Sequence, residues 1–374
     1  MNRLPDPLPR AVRAIRLRSQ RLDDAARDTP ATAAAIVRDV GGVQAQDMRA
    51  AALGMRVRGR DISAGDIAHA RGTDRSLVRA WCMRGTLHIV PTDLLPGLLA
   101  VFGPVYVARG RRRLRQLGLD DAACLRGIQI IRDLLAERGP LTRNDIAAAL
   151  RTRGVTGDPY DRATVHLVRR ACLEGIVCDA GSSGTDSSYA LRDTWLPAAP
   201  LPDRTTALGQ IARWYVAAFQ PTSPEDFAAW SRLPVADVRV AWEQVGTLVA
   251  IGAGAQPLWV RAEDRQVTDA SPGSPAVRLL PAFDNYLLGY RDRSHAVPDQ
   301  HATRVHPGGG IIRPTVLADG RVAGIWRIDR SSSRARLAVE SFADLGSARV
   351  RALETEVHDV GRFIGQDLAL TVIG

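Results

Sequence analysis

The sequence has 374 residues, a formal charge of +10 and a 45% hydrophobic fraction, enough for two or three domains with real cores. All 50 basic side chains are arginine, which excludes a phosphate-loop lysine, a pyridoxal-phosphate Schiff base and a lysine nucleophile. No run approaches the roughly 20 apolar residues of a membrane span and the N-terminus lacks a signal-peptide core, so a cytoplasmic protein without membrane contact is expected.

In chain order, the pattern predicts a helix around RAVRAIRLRSQRL, a second over Ala31 to Val40, a third from Met48 to about Val57 and a short fourth beginning at SAGDIAHA. SLVRAWCMRGTLHIV then has two β-rich runs around Met83–Arg84–Gly85, the grammar of a hairpin. Helices followed by a hairpin predict a winged helix. The order recurs: Thr142 and Asp145 have capping-box spacing at the head of a helix, an amphipathic DRATVHLVRRACLEG follows, and IVCDAG and SSYALRD flank a glycine-serine turn. A weaker third copy runs from Ser223 and Asp226 through VADVRVAWEQVGTLVAIGAG to PLWVRA. Thr268 to Ala276 reads as a linker, ADGRV as a hairpin turn, and Ser347 to Gln366 as a terminal helix. The expected fold is α+β: tandem winged-helix units over 1–91, 92–200 and 201–267, then a β-rich region over 268–374. Cys82, Cys124, Cys172 and Cys178 lack metal or disulfide spacing and are expected as buried thiols.

VGGVQAQDMRAAALGMR, residues Val40 to Arg56, places two neutral amides two positions apart. On a helix such residues diverge. Gly41–Gly42 makes a helix stop plausible and Asp47 is a credible N-cap for the next helix, which leaves Val43 to Gln46 extended. Alternate residues then share a face: Val43 and Ala45 pack inward, and Gln44 and Gln46 project together beside a helix N-terminus. A glutamine amide is a poor base, able to orient water and stabilise positive charge but not to remove a proton readily. The pair therefore suits a base that is already cationic, such as an N7-alkylated guanine, whose glycosidic bond breaks toward an oxocarbenium ion without acid help. The plain alternative is a solvated or capping pair.

GVQAQD, RAWCMRGTLHIV and LLPAFDNYLLGYRDR, in that order, resemble the AlkZ-like winged-helix family of bacterial DNA glycosylases, and the likeness extends over nearly the whole chain. The resemblance implies that Gln44 and Gln46 position the hydrolytic water. It also implies three winged-helix units curved around a basic channel that takes double-stranded DNA. Alkylated purines are the implied substrates, bulky or cross-linked N7-alkylguanines of genotoxic natural products in the double-glutamine branch, acted on by a nucleoid-associated monomer.

Around that centre, Arg49, Arg84 at the hairpin tip, His88 on its return strand, and Tyr290, Arg291 and Arg293 are expected DNA contacts, with Asp284 as a possible catalytic support. Structural alternatives stand beside these: a satisfied His88, and an ion-paired Asp292 with buried leucines. The run RGRRRLRQ, Arg109 to Gln116, is either a solvated helix face or a phosphate contact. His295, His301 and His306 have no regular ligand spacing, and no metal or cofactor is expected. A non-enzymatic winged-helix transcription regulator explains the charge and the helix-hairpin units equally well but leaves the glutamine pair without a task. A protein that sequesters an alkylating agent ranks last, because 5% aromatic residues is little for a pocket wall.

Overall fold

The computed structural model describes residues 10–157, 162–183, 186–251, 257–264, 277–329 and 335–373. The linker expected at Thr268 to Ala276 lies outside them. The chain forms two compact units: Ala68–Ile211, and a discontinuous one joining Met1–Ile67 to Ala212–Gly374. These limits cut across the four consecutive segments expected, because the first helices share a unit with the distant C-terminal sheet.

In the 68–211 unit, Leu77–Trp81 and Leu87–Pro91 pair antiparallel, with Ala80 opposite His88 and Trp81 opposite Leu87. Helices Leu95–Gln116 and Asp121–Arg138 follow, then the short strand Leu141–Thr142. The Thr142 side chain caps helix Arg143–Thr152 in a full capping box with Asp145. Helix Arg162–Leu173 leads into the hairpin Val177–Ser183 and Asp186–Leu191, and the short strand pairs with the second hairpin strand. Ile128, Ile131, Ile146, Leu150, Leu167 and Val168 close the core between these helices and the sheet.

The other unit begins with helices Arg10–Ser19, Asp24–Asp28, Ala33–Asp39 and Met48–Arg56. Helix Arg204–Phe219 enters it, followed by Pro224–Ser231, again with a capping box from Ser223 and Asp226, then Val235–Glu243 and an antiparallel hairpin of Leu248–Ile251 with Leu258–Arg261. Tyr215, Phe219, Phe227 and Trp230 pack as rings, Tyr215 lying 4.9 Å from Phe219 and 5.0 Å from Trp230.

A five-stranded sheet completes this unit in the order Ala369–Ile373, Arg336–Ser341, Arg321–Asp329, Thr315–Ala318, Val277–Leu280. Asp319 and Gly320 both have positive φ, +51° and +79°, and turn the chain from Ala318 to Arg321 where ADGRV predicted it. Helix Gly346–Ile364 lays Leu353, Val357 and Val360 on the sheet against Leu279, Trp326 and Leu337. Its Glu356, buried at 2% exposure, accepts from Arg27 at 2.6 Å, Arg56 at 3.1 Å and the Leu279 amide at 3.2 Å. Burial alone would raise that carboxyl's pKa, but the charges of Arg56, Arg27 and Arg278 outweigh it and hold it below the usual range. The final strand, parallel to Arg336–Ser341, was not expected after the helix. All four cysteines are buried free thiols, and burial pushes Cys82 and Cys178 up to about 12.

Candidate active site

Helix Ala33–Asp39 ends at Val40, and Gly41 and Gly42 follow at φ +76° and +77°. A side chain at Gly41 would meet left-handed strain, and its Cβ would lie 2.5 Å from the Phe219 ring. The reversal launches the extended Val43–Gln44, and Asp47 then accepts from the amides of Arg49 at 2.8 Å and Ala50 at 3.2 Å to start helix Met48–Arg56. Val43 and Ala45 are buried, at 6% and 0% exposure. On the opposite side the Gln44 amide nitrogen donates to the Gln46 carbonyl oxygen at 2.9 Å, with Gln44 buried and Gln46 exposed. The two amides therefore meet on one side of an extended segment, at the mouth of a capped helix.

A buried polar network fixes this segment from behind. Asn285 Nδ2 donates to the Val40 carbonyl at 2.8 Å and to the Gly42 carbonyl. Gln20 Nε2 reaches the Val40 carbonyl at 3.3 Å and that of Ala218 at 2.7 Å. Arg58, at 1% exposure, grips Asp284 through two bonds of 2.7 and 2.8 Å, and also donates to Gln20 Oε1 and the Gly54 carbonyl. Asp284 in addition caps helix Asn285–Leu288 through the Tyr286 amide at 2.9 Å. Each carboxylate oxygen thus takes a guanidinium bond in a water-excluded position. That is a structural ion pair, and the expectation of catalytic support from Asp284 is replaced by one of scaffolding.

Tyr290 also departs from expectation. It is 2% exposed, capped by the Arg16 guanidinium at 3.8 Å and edge-on to His295 at 4.7 Å and Phe219 at 5.8 Å, so its ring cannot meet DNA. Arg293 is half-buried and donates to the Leu287 carbonyl at 2.8 Å. Arg49 and Arg291 are exposed, and Arg291 is held through its backbone amide by Asp226 at 2.8 Å. Gly41 and Gly289 both abut the Phe219 ring, which links the loop carrying Arg291 to the turn carrying Gln44.

In the 68–211 unit, Arg84 sits at the hairpin tip with φ +58°. His88 is 1% exposed and cannot contact a ligand directly. Its Nδ1 lies 3.2 Å from the Thr86 carbonyl and must donate to it, so Nε2 is the acceptor for Arg84 Nη2 at 3.1 Å. The expected DNA contact at His88 thus becomes a support for the arginine. Arg109, Arg111, Arg112, Arg113 and Arg115, in the last two turns of helix Leu95–Gln116, are all exposed. The family description "DNA glycosylase AlkZ-like" matches residues 37–363.

The chain belongs to the AlkZ-like DNA glycosylase family. A curated relative, an interstrand DNA cross-link repair glycosylase of Streptomyces sahachiroi, is 26% identical over 354 residues, spanning 90% of this chain and 92% of its own. The solved structure of S. sahachiroi DNA glycosylase AlkZ matches with a TM-score of 0.82 at 25% identity, over 97% of this chain and 99% of that one. No helix among the described residues is long and apolar enough to cross a membrane.

In this AlkZ-like chain two buried histidines set an acid limit. Burial first, then Arg84, holds His88 well below the ordinary histidine pKa; burial and Arg16 do the same to His295. A depressed folded pKa means that the unfolded chain takes the proton first. Stability is complete above about pH 6.5 and falls below it by about 1.4 kcal/mol per pH unit for each histidine. The urea midpoint is expected to drop between about pH 6.5 and 5, before carboxylates titrate, and His88→Gln should remove part of the slope. A flat midpoint across that interval would contradict the assignment.

Asn285, Gln20 and Arg58 were not singled out from the sequence. Asn285 lies inside the quoted LLPAFDNYLLGYRDR, but nothing local marks an amide that bonds carbonyls more than 240 positions away. Arg58 is one of 50 arginines, and that bias hides the fully buried ones.

Proposed function

We propose that the chain is a monofunctional DNA glycosylase that hydrolyses the N-glycosidic bond of N7-alkylated guanine in double-stranded DNA. The observation that carries the reading is the Gln44–Gln46 amide pair, bonded at 2.9 Å on one side of an extended segment. The Gln46 carbonyl has a second lone pair for a water proton. Water adds through oxygen to C1′ as the bond from C1′ to N9 breaks. The bonding pair leaves with the base, which departs neutral because it carried a positive charge, and one proton passes to solvent. The amide dipoles face the cationic sugar, where fixed dipoles stabilise the transition state most.

Arg49, Arg84, Arg291 and Arg293 are assigned to the DNA backbone in this reading. Three segments in which helices precede an antiparallel hairpin, closing at 77–91, 177–191 and 248–261, support the three winged-helix units of this reading, and the basic channel for the duplex is part of the proposal. Because the S. sahachiroi relative is an interstrand cross-link repair glycosylase, cross-linked adducts are favoured substrates, and the resemblance of the Gln44–Gln46 motif to the double-glutamine branch adds bulky N7 adducts of a genotoxic natural product, in a self-resistance and repair role. The reading needs one copy of the chain and a nucleoid location in the cytoplasm. The test is incubation with duplex DNA bearing N7-methylguanine or a bulkier N7 adduct. Free base is the expected product; a shifted band without base release would return the chain to the regulator reading.

Absence of lysine from the sequence sets the second expectation. Strand cleavage by bifunctional glycosylases commonly runs through a lysine Schiff base. Abasic sites should therefore accumulate on an intact strand until heat or alkali is applied. Scission by the pure enzyme before that treatment would overturn the monofunctional assignment.

A further inference from the structure

We infer that a cationic cleft beside the hairpin tip of the 68–211 unit holds a phosphate group, and that its ligand is a backbone phosphodiester of duplex DNA. This rests on the glycosylase reading above. The polar side of the cleft is made by Tyr106, His166, Arg169 and Arg170, with Val107, Leu114 and Leu173 as its apolar wall, from helices Leu95–Gln116 and Arg162–Leu173. Tyr106 is 5% exposed and its hydroxyl has no partner; the Nε of Arg169 is likewise buried and unpartnered. Arg169 reaches the Gly85 carbonyl through Nη2 at 3.4 Å, so the hairpin turn forms one rim. Arg109 lies 5.2 Å from the Tyr106 ring centre, and Arg84 acts electrostatically on the same hydroxyl.

Charge balance points to an anion. Among the described residues no carboxylate pairs with Arg109, Arg113 or Arg169, whereas neighbouring Arg170 is matched by Glu174 at 2.8 Å and Asp121 at 3.5 Å. Burial first, then Arg169 and Arg113, holds the His166 pKa down, so no carboxylate relieves the field there either. Arg109 and Arg113 are exposed to solvent and Arg170 is paired, which leaves the half-buried Arg169 without a carboxylate beside a buried hydroxyl without a partner, and both are costly to leave unmatched. A phosphate repairs both faults, with acceptor oxygens for Arg169 and for the tyrosine O–H. Geometry disfavours a base in the same place: the Tyr106 ring stacks on Phe102 at 6.3 Å, and a Cβ on Gly85 would lie 2.7 Å from its edge.

The test uses the full chain, inorganic phosphate and undamaged duplex. Phosphate should move the His166 ring resonance and raise its apparent pKa, and duplex should abolish that response by taking the site. Arg169→Gln should weaken duplex binding about tenfold, the loss of one charged hydrogen bond, and lower the salt slope by about 1. Exposed Arg138, on the helix Asp121–Arg138 of the same unit, is the comparison: Arg138→Gln should change affinity less than about twofold. Tyr106→Phe deletes only an oxygen without a partner, so it should keep thermal stability while weakening duplex binding. The inference is overturned if phosphate leaves His166 unmoved, if duplex and phosphate bind together, or if Arg169→Gln matches Arg138→Gln. Should these fail while wild-type protein releases base, the glycosylase reading stands without the cleft; should duplex fill the cleft with no base released from any N7 adduct, the cleft stands alone.

Discussion

Replacing both amides, Gln44→Ala with Gln46→Ala, is expected to slow single-turnover base release at least about 100-fold, equivalent to about 2.7 kcal/mol of transition-state stabilisation. The fold should survive, because Val40 and Gly42 are held by Asn285 and the following helix is capped by Asp47. Duplex affinity should also persist and weaken steeply with salt, since arginine and phosphate supply it. Each single variant leaves one amide able to orient water, so the single losses should sum to less than the loss in the double. Full excision by the double variant would remove the water-positioning role while leaving the family assignment in place.

The second large effect concerns stability. Asp284→Ala takes from Arg58 both of its carboxylate bonds, 2.7 and 2.8 Å long, and leaves a guanidinium at 1% exposure without a counter-charge. Breaking a buried pair in this way costs about 3–5 kcal/mol, against a total stability of about 5–15 kcal/mol for a domain. The same change removes the cap on helix Asn285–Leu288. Replacing both partners with apolar residues, Asp284→Leu with Arg58→Met, should cost less than Asp284→Ala alone, because no charge is stranded. Chemical denaturation of the three proteins decides it, and equal midpoints for wild type and Asp284→Ala would contradict the scaffold role. Asn285→Ala should lose less stability but release base more slowly than its folded fraction explains, because it frees the carbonyls on either side of Gly41.

Local grammar made much of this molecule legible. Gly41 and Gly42 stop a helix as their spacing implied, Asp47 caps the next, and Val43 and Ala45 face inward, so the meeting of the two amides followed from alternation alone. Capping boxes at Thr142 and Ser223 and the turn at Asp319–Gly320 were readable for the same reason: each is decided within four residues. What escaped depends on partners far along the chain. The grouping of residues 1–67 with 212–374 is long-range packing, and no period reports it. Tyr290 is expected against DNA together with Arg291 and Arg293, which follow it in sequence, yet Arg16 and Phe219 enclose it in space. Asp284 is expected as a catalytic support, yet Arg58, 226 positions away in sequence, holds its carboxylate.

The most direct test compares two lesions in the same duplex, N7-methylguanine, which is cationic, and hypoxanthine, which is neutral. An amide pair orients water but supplies no proton to a leaving group. The wild-type enzyme is therefore expected to release N7-methylguanine and to leave hypoxanthine in place under identical single-turnover conditions. Comparable release of both would show that a proton donor drives the reaction, and the assignment of catalysis to Gln44 and Gln46 would be wrong.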